Sequence, residues 1–254
     1  VSLGGNLTSL EFDRTLVWVT KEKLNNVKRF QEFFTPDKFV KILVNKSTKL
    51  ATEFSHLDIL EPSAGVGNLI IGVLKKYTNC HIDMVEIQED NRNILKDTLI
   101  KASPDILTLK EEGDFLRFIP DKQYDLIIMN PPYHLQKKYI ASLDRDYYDL
   151  DFVMTCFSML KVDGEIVALV RYENTQKTEY KQWLNSLKDC KIVNYMDEKW
   201  QGSKADDVSK IGSINLSVLR ITRTEEDDPT TLFKISSRAE HQRAEIILEG
   251  CAMD

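Results

Sequence analysis

Between about residue 57 and residue 222, short apolar runs alternate with amphipathic stretches, and this alternation leaves few architectures open. HLDILEP (56–62) reads as a strand ending in a loop, and GNLIIGVLKKY (67–77) as a helix. HIDMVEI (81–87) and EDNRNILKDTLIKA (89–102) repeat the pair. A third strand is expected between Asp105 and Asp114, and a fourth in YDLIIMN (124–130). The fourth is apolar almost throughout, as a strand covered on both faces must be. YYDLDFVMTCFSMLK (147–161) reads as a helix, GEIVALV (164–170) as strand five and TEYKQWLNSLKD (178–189) as another helix. KIVNYM (191–196) and SINLSVLRIT (213–222) complete the set. Strands separated by helices form a parallel, doubly wound sheet with helices on both faces. The expected fold class is therefore α/β, with a seven-stranded Rossmann-like sheet. Strands six and seven are joined by a loop instead of a helix, which predicts an antiparallel hairpin at one edge. Sheets of this kind bind ligands beyond the carboxyl ends of their strands, where the strand order reverses.

The flanks add little core. Residues 1–56 read as a mainly helical segment, with Pro36 at the first helical position before DKFVKILVNK. Residues 57–222 form the main domain. After Thr222 the chain turns polar and acidic (RTEEDDPT), so residues 223–254 are an extension too short for a domain of their own. With 42% hydrophobic residues the chain can fill a substantial core, and no apolar run approaches the roughly 20 residues of a membrane span. The start, VSLGGNLTSLEFDR, lacks a basic segment followed by an apolar one and does not read as a signal peptide. Cys80, Cys156, Cys190 and Cys251 are widely spaced, without zinc-ligand spacing, and fit free thiols in a reducing compartment. A cytoplasmic protein without a metal is expected. The formal net charge of −6 confines any nucleic-acid-binding face to local basic patches.

Three loops fall where ligands bind. Glu61-Pro62-Ser63-Ala64-Gly65-Val66-Gly67 follows strand one, and its glycines permit a tight turn and close approach of a ligand to the backbone. It is neither a Walker A loop nor GxGxxG, which points to an adenosine-containing ligand smaller than a dinucleotide. Glu86, about 20 residues on at the end of strand two, is placed to accept from both hydroxyls of a ribose. Asp114, with Phe115 beside it, can accept from an adenine amino group; as a plain helix cap it would serve only the turn. Asn130-Pro131-Pro132-Tyr133 ends strand four. Two consecutive prolines remove two backbone donors and stiffen the turn. The Asn130 side-chain oxygen and the Pro131 carbonyl can then accept both hydrogens of one –NH2 group. That arrangement draws the nitrogen towards tetrahedral geometry and aims its lone pair at an electrophile, while Tyr133 stacks on the ring bearing the amine.

These motifs, in this order, resemble the class I amino-methyltransferases, specifically the gamma-type N6-adenine DNA methyltransferases of restriction-modification systems and phages. The resemblance spans roughly residues 30–222. Gln31-Glu32-Phe33-Phe34-Thr35-Pro36 resembles the family's "FFTP" segment, which implies that Phe34, Thr35 and Pro36 contact the methionine end of S-adenosylmethionine. EPSAGVG resembles its glycine loop (Glu61, Pro62, Ser63, Gly65 and Gly67), Glu86 its ribose acid, Asp114 and Phe115 its adenine contact, and NPPY its catalytic loop. Trp200 falls where the family places an aromatic residue against an extruded base, and Lys137 and Lys138 lie where a phosphate would pass. The resemblance implies a prokaryotic or phage-encoded protein that methylates a base-flipped adenine in DNA. It departs from the family in lacking room for a sizeable recognition domain, so specificity would come from small loops or from a separate specificity or restriction subunit. Three other readings stay open: a protein-glutamine methyltransferase, which the acidic charge favours, an RNA amino-methyltransferase, and a non-catalytic DNA-binding subunit of a modification complex.

Overall fold

The computed structural model of the protein describes residues 35–51, 55–138, 143–195 and 215–227. Phe34, Trp200, Cys251 and the cationic residues of the first 34 positions lie outside them. Helix α1 (Asp37–Lys46) leads into β1 (Leu57–Glu61), α2 (Asn68–Lys76), β2 (Cys80–Met84) and α3 (Glu89–Leu95), which a π turn prolongs to Ile100. β3 (Leu107–Leu109), β4 (Tyr124–Met129), β5 (His134–Leu135) and β6 (Tyr147–Tyr148) follow. Then come α4 (Asp149–Phe157), β7 (Leu160–Arg171), α5 (Tyr172–Thr175), α6 (Thr178–Ser186), β8 (Asp189–Asn194) and β9 (Leu216–Thr222).

Seven strands make one sheet in the order β3-β2-β1-β4-β7-β9-β8. The first five are parallel neighbours, and β9 runs antiparallel to both β7 and β8. This is the expected α/β sheet, mostly parallel, with the expected antiparallel edge. Alternation of side chains along the strands divides the interior in two. Val167 and Leu169 of β7 enter one layer with Phe39 and Leu43 of α1 and Leu69, Ile70 and Val73 of α2. Ile166, Ala168 and Val170 enter the other, with Leu150, Val153 and Phe157 of α4 and Trp183 of α6. Each large aliphatic or Phe side chain among them contributes roughly 1.5–3 kcal/mol through removal from water. Among the described residues no helix is long and apolar enough to cross a membrane.

Several boundaries differ from the sequence expectation. Pro36 caps α1 from an extended conformation (ψ 149°), one residue before the helix, and its carbonyl receives the Phe39 and Val40 amides. The third strand keeps only Leu107–Leu109, because the acidic stretch after Lys110 turns away towards the cavity described below. The helix expected from Tyr147 starts at Asp149, since Tyr147 and Tyr148 pair with Leu135 and His134 in a two-stranded ribbon. That ribbon and the single turn α5 left no periodic signal. Each is too short to set a period.

Helix α1 belongs to the same core as the sheet. Glu165 of β7, fully buried, accepts from the Ser47 hydroxyl at 2.8 Å and from Thr48 Oγ1 at 3.0 Å, and pairs with Arg220 at 3.6 Å. The carboxylate ties the end of α1 to the middle of the sheet. Removing one partner of such a network strands the rest, at a cost of about 3–5 kcal/mol. Glu165→Leu is expected to lower the unfolding free energy by that amount in urea titration, with the unfolding slope unchanged.

Candidate active site

The carboxyl ends of β1, β2 and β4 converge on one cavity. Its lining includes Thr35, Glu61, Ser63, Gly65, Glu86, Asp114, Phe115, Asn130 and Pro132. The glycine loop turns through positive φ at Gly65 (55°) and Gly67 (92°), conformations that favour glycine. Gly67 itself does not line the cavity. A Cβ there would lie 2.3 Å from Leu99 Cδ1, so this glycine lets α2 begin against the turn after α3.

Glu86 is buried, and both its oxygens are fixed at 2.7 Å, one by the Gly65 amide and one by the Gln88 amide. These two bonds fix the orientation of the carboxylate at the cavity wall. Arg92 donates to the Glu86 carbonyl at 3.0 Å and to the Lys110 carbonyl at 3.0 Å, holding the loops after β2 and β3 together. At Gly113 an added Cβ would sit 2.7 Å from the Glu86 carbonyl oxygen; only glycine fits this approach. Asp114 both lines the cavity and caps the turn that follows, accepting from the Leu116 amide at 3.0 Å. Phe115 stacks on Phe152 with ring centroids 5.2 Å apart, forming an apolar wall.

On the opposite side, Asn130 Nδ2 donates to Thr35 Oγ1 at 3.0 Å, and the Asn68 amide donates to the Thr35 carbonyl at 3.0 Å. The Asn130 carbonyl accepts from Ser63 Oγ at 3.3 Å, joining the loops after β1 and β4. The segment ahead of α1 therefore meets the loop after β4. Pro36 and Pro131 do not line the cavity. Tyr133 requires a correction. Its ring is 2% exposed and belongs to the core layer that α1 and α2 share with the sheet, so in this conformation it presents no stacking face. Burial pushes its hydroxyl pKa well above that of an ordinary phenol. Lys137 and Lys138 are exposed beyond the ribbon, and the Lys137 ammonium donates to the Asp144 carbonyl at 2.7 Å.

Sequence reasoning missed Asn68, Phe152 and Ile87 as lining residues. Asn68 and Phe152 belong to helices whose facing residues only tertiary packing reveals. Ile87, half exposed directly after the acid of β2, carried a signal: an apolar residue where a strand has already ended.

Residues 35–198 match the family model described as the methyltransferase small domain, well over half of the chain. The chain belongs to that family. Among solved structures it resembles one named as a class I S-adenosylmethionine-dependent methyltransferase from Listeria monocytogenes. The TM-score is 0.60 at 15% identity, over 90% of this chain and 72% of that one. A structure named as an RNA methyltransferase from Pyrococcus horikoshii gives 0.54 at 16%, over 77% of this chain and 88% of the other. Likeness at these identities shows the fold. Two curated relatives share sequence. The type II methyltransferase M.CvrRI of Paramecium bursaria Chlorella virus XZ-6E is 33% identical over 101 residues, 40% of this chain and 24% of that protein. The tRNA1(Val) (adenine(37)-N6)-methyltransferase of Histophilus somni (strain 129Pt) is 27% identical over 146 residues, 53% of this chain and 61% of that protein. The chain spans less than two thirds of the length of either relative.

The cofactor of this methyltransferase is S-adenosylmethionine, and the cavity fits it: Glu86 would accept from a ribose, the glycine loop would let the ligand approach the backbone, and Phe115 would wall its ring. When bound, it supplies an electrophilic methyl group on a sulfonium. Glu61, 1% exposed on the cavity lining, suits the cationic end of such a ligand. Burial raises its pKa to about 8, while bonds from the Ser63 amide and hydroxyl work in the opposite direction. The folded, ligand-free protein thus holds a proton that the unfolded chain releases above pH 4.5. Asp149, raised to about 7 chiefly by burial, adds a second. Stability is therefore lost as pH rises from about 4.5 to 8, by up to about 1.4 kcal/mol per pH unit for each proton separating the states. Glu61→Gln is expected to flatten the fall between pH 7 and 8 in thermal melts. S-adenosylmethionine binding at pH 7 is expected to release a proton, read by calorimetry in buffers of different ionisation enthalpy, and the release is expected to vanish in Glu61→Gln.

Proposed function

We propose that the protein transfers a methyl group from S-adenosylmethionine to the N6 amine of adenine in DNA. The observation that carries this reading is the position of Asn130. It lines the cofactor cavity at the end of β4, and its amide nitrogen is turned to Thr35 Oγ1, to which it donates. What the side chain offers a substrate is thus its oxygen, an acceptor. Two adjacent prolines follow and bring no backbone donor, so the loop suits an amine bearing two hydrogens. Asn130 Oδ1 and the Pro131 carbonyl accept those hydrogens and turn the nitrogen lone pair towards the methyl group. Positioning supplies much of the acceleration. A paired base cannot present its amine to such a cavity, so adenine is extruded from the helix.

The gamma-type order of motifs and the stretch shared with the type II methyltransferase favour DNA. One specific observation favours a second reading, adenine N6 in tRNA: the stretch shared with the tRNA enzyme covers more of the chain. With labelled cofactor and DNA, total tRNA or protein offered separately, N6-methyladenine is expected in digested DNA. Label confined to tRNA would move the assignment to RNA, and label confined to glutamine would overturn it. Asn130→Ala is expected to lower methyl transfer about 100-fold, by analogy with loss of a transition-state hydrogen-bond partner. Cofactor affinity is expected to stay within a small factor. Thr35→Val, which frees the Asn130 amide to rotate, is expected to lower turnover less.

A further inference from the structure

Asn174 is a buried side chain that neither the cofactor cavity nor the sequence motifs account for. It lies on the single turn α5, directly after β7, and is 4% exposed. Both hydrogens of its amide nitrogen are committed. One goes to the carbonyl oxygen of Tyr133 at 3.2 Å, the other to Asp149 Oδ1 at 2.8 Å. Asp149 is itself immobilised at the first residue of α4. Its Oδ1 also receives the Leu150 amide at 2.8 Å, and its Oδ2 receives the Arg171 amide at 2.7 Å. The carboxylate therefore bridges the start of α4 to the end of β7, and Asn174 extends that bridge to the last residue of the NPPY loop.

The loop is thus held from two sides. At its front, Thr35 and Ser63 hold the side chain and carbonyl of Asn130. At its back, with two prolines between that bring no amide of their own, the Tyr133 carbonyl is held by Asn174. Beyond it, the β5–β6 ribbon is tied to the same helix start: Asp151 accepts from Arg145 at 3.0 Å, from the Tyr148 amide at 2.7 Å and from the Tyr180 hydroxyl at 2.9 Å.

We propose that Asn174, braced by Asp149, is a positioning residue for the methyl-acceptor loop: by pinning the Tyr133 carbonyl it sets the direction in which Asn130 and Pro131 present their acceptors. The proposal rests on the reading of that loop as the amine-binding element. Asn174 does not touch the cavity, so its loss acts through the loop and not through the cofactor. Side-chain shape and donation are separable, because Leu has the branching and heavy-atom count of Asn but no donor.

In Asn174→Leu, hydrogen exchange of the full-length protein is expected to accelerate several-fold in the peptide spanning residues 129–135. Exchange in α2 is expected to match the wild type. With the substrate that the wild type methylates, kcat is expected to fall roughly ten- to a hundredfold, as small misplacements near reacting atoms do. KM for S-adenosylmethionine is expected to stay within twofold. Should Asn174→Leu fail to fold, Asn174→Ser carries the same comparison, its hydroxyl being too short to reach both acceptors. Unchanged exchange at residues 129–135, or a loss spread equally over α2 and cofactor KM, would overturn the proposal. If the wild type methylates no nucleic acid, the substrate reading fails alone, since the exchange measurement reads the clamp without turnover.

Discussion

The parallel pairing of β1 with β4 is the constraint from which the rest of the site follows. β2 and β3 build outward from one side of β1, and β4 and β7 from the other, so the loops after β1 and β4 leave the sheet side by side. A parallel pair cannot be joined by a short turn, and the long crossovers this requires are the helices that cover both faces. The Ser63 hydroxyl reaching the Asn130 carbonyl is the direct result, a contact across 67 residues of sequence. Ligand chemistry is concentrated at this edge because strand ends meet there without a helix to cover them.

Around that edge, three acids are placed by different means and serve different purposes. Glu86 is fixed by two backbone amides and faces the cavity as an oriented acceptor. Glu61 lies deeper, with only Ser63 to oppose the cost of burial, and so keeps its proton into the neutral range. Asp149 is buried behind the cavity and spends its acceptors on structure. Backbone amides fix the direction of a buried carboxylate, while burial itself raises its pKa, as at both Glu61 and Asp149.

The second face of the sheet shows how little of the charge balance concerns the cavity. Asp83, 1% exposed, accepts from the Tyr124 hydroxyl at 3.0 Å and pairs with Lys110 at 3.2 Å and Lys122 at 3.5 Å. Asp58 pairs with Lys122 and Lys161, which together hold its carboxyl below the usual carboxylate range against the opposing effect of burial. A negative total charge thus coexists with lysines locked into structural pairs, and net charge alone is a poor guide to what the cavity binds.

Periodicity determined the fold class, because a run such as YDLIIMN is stable only where both faces are covered. The spacing of glycines, acid and prolines determined which loops line the cavity, because each requirement falls on residues within a few positions of a strand end. Tertiary structure alone decided the rest. It turned the Tyr133 ring into the core, since a buried aromatic ring gains more from packing than from waiting at a surface. It brought Asn174 and Asp149 to the back of the loop, 41 and 16 residues after Tyr133, where no sequence pattern links them. Local rules see the chain a few residues at a time, and such a clamp exists only once the strands between its parts have paired.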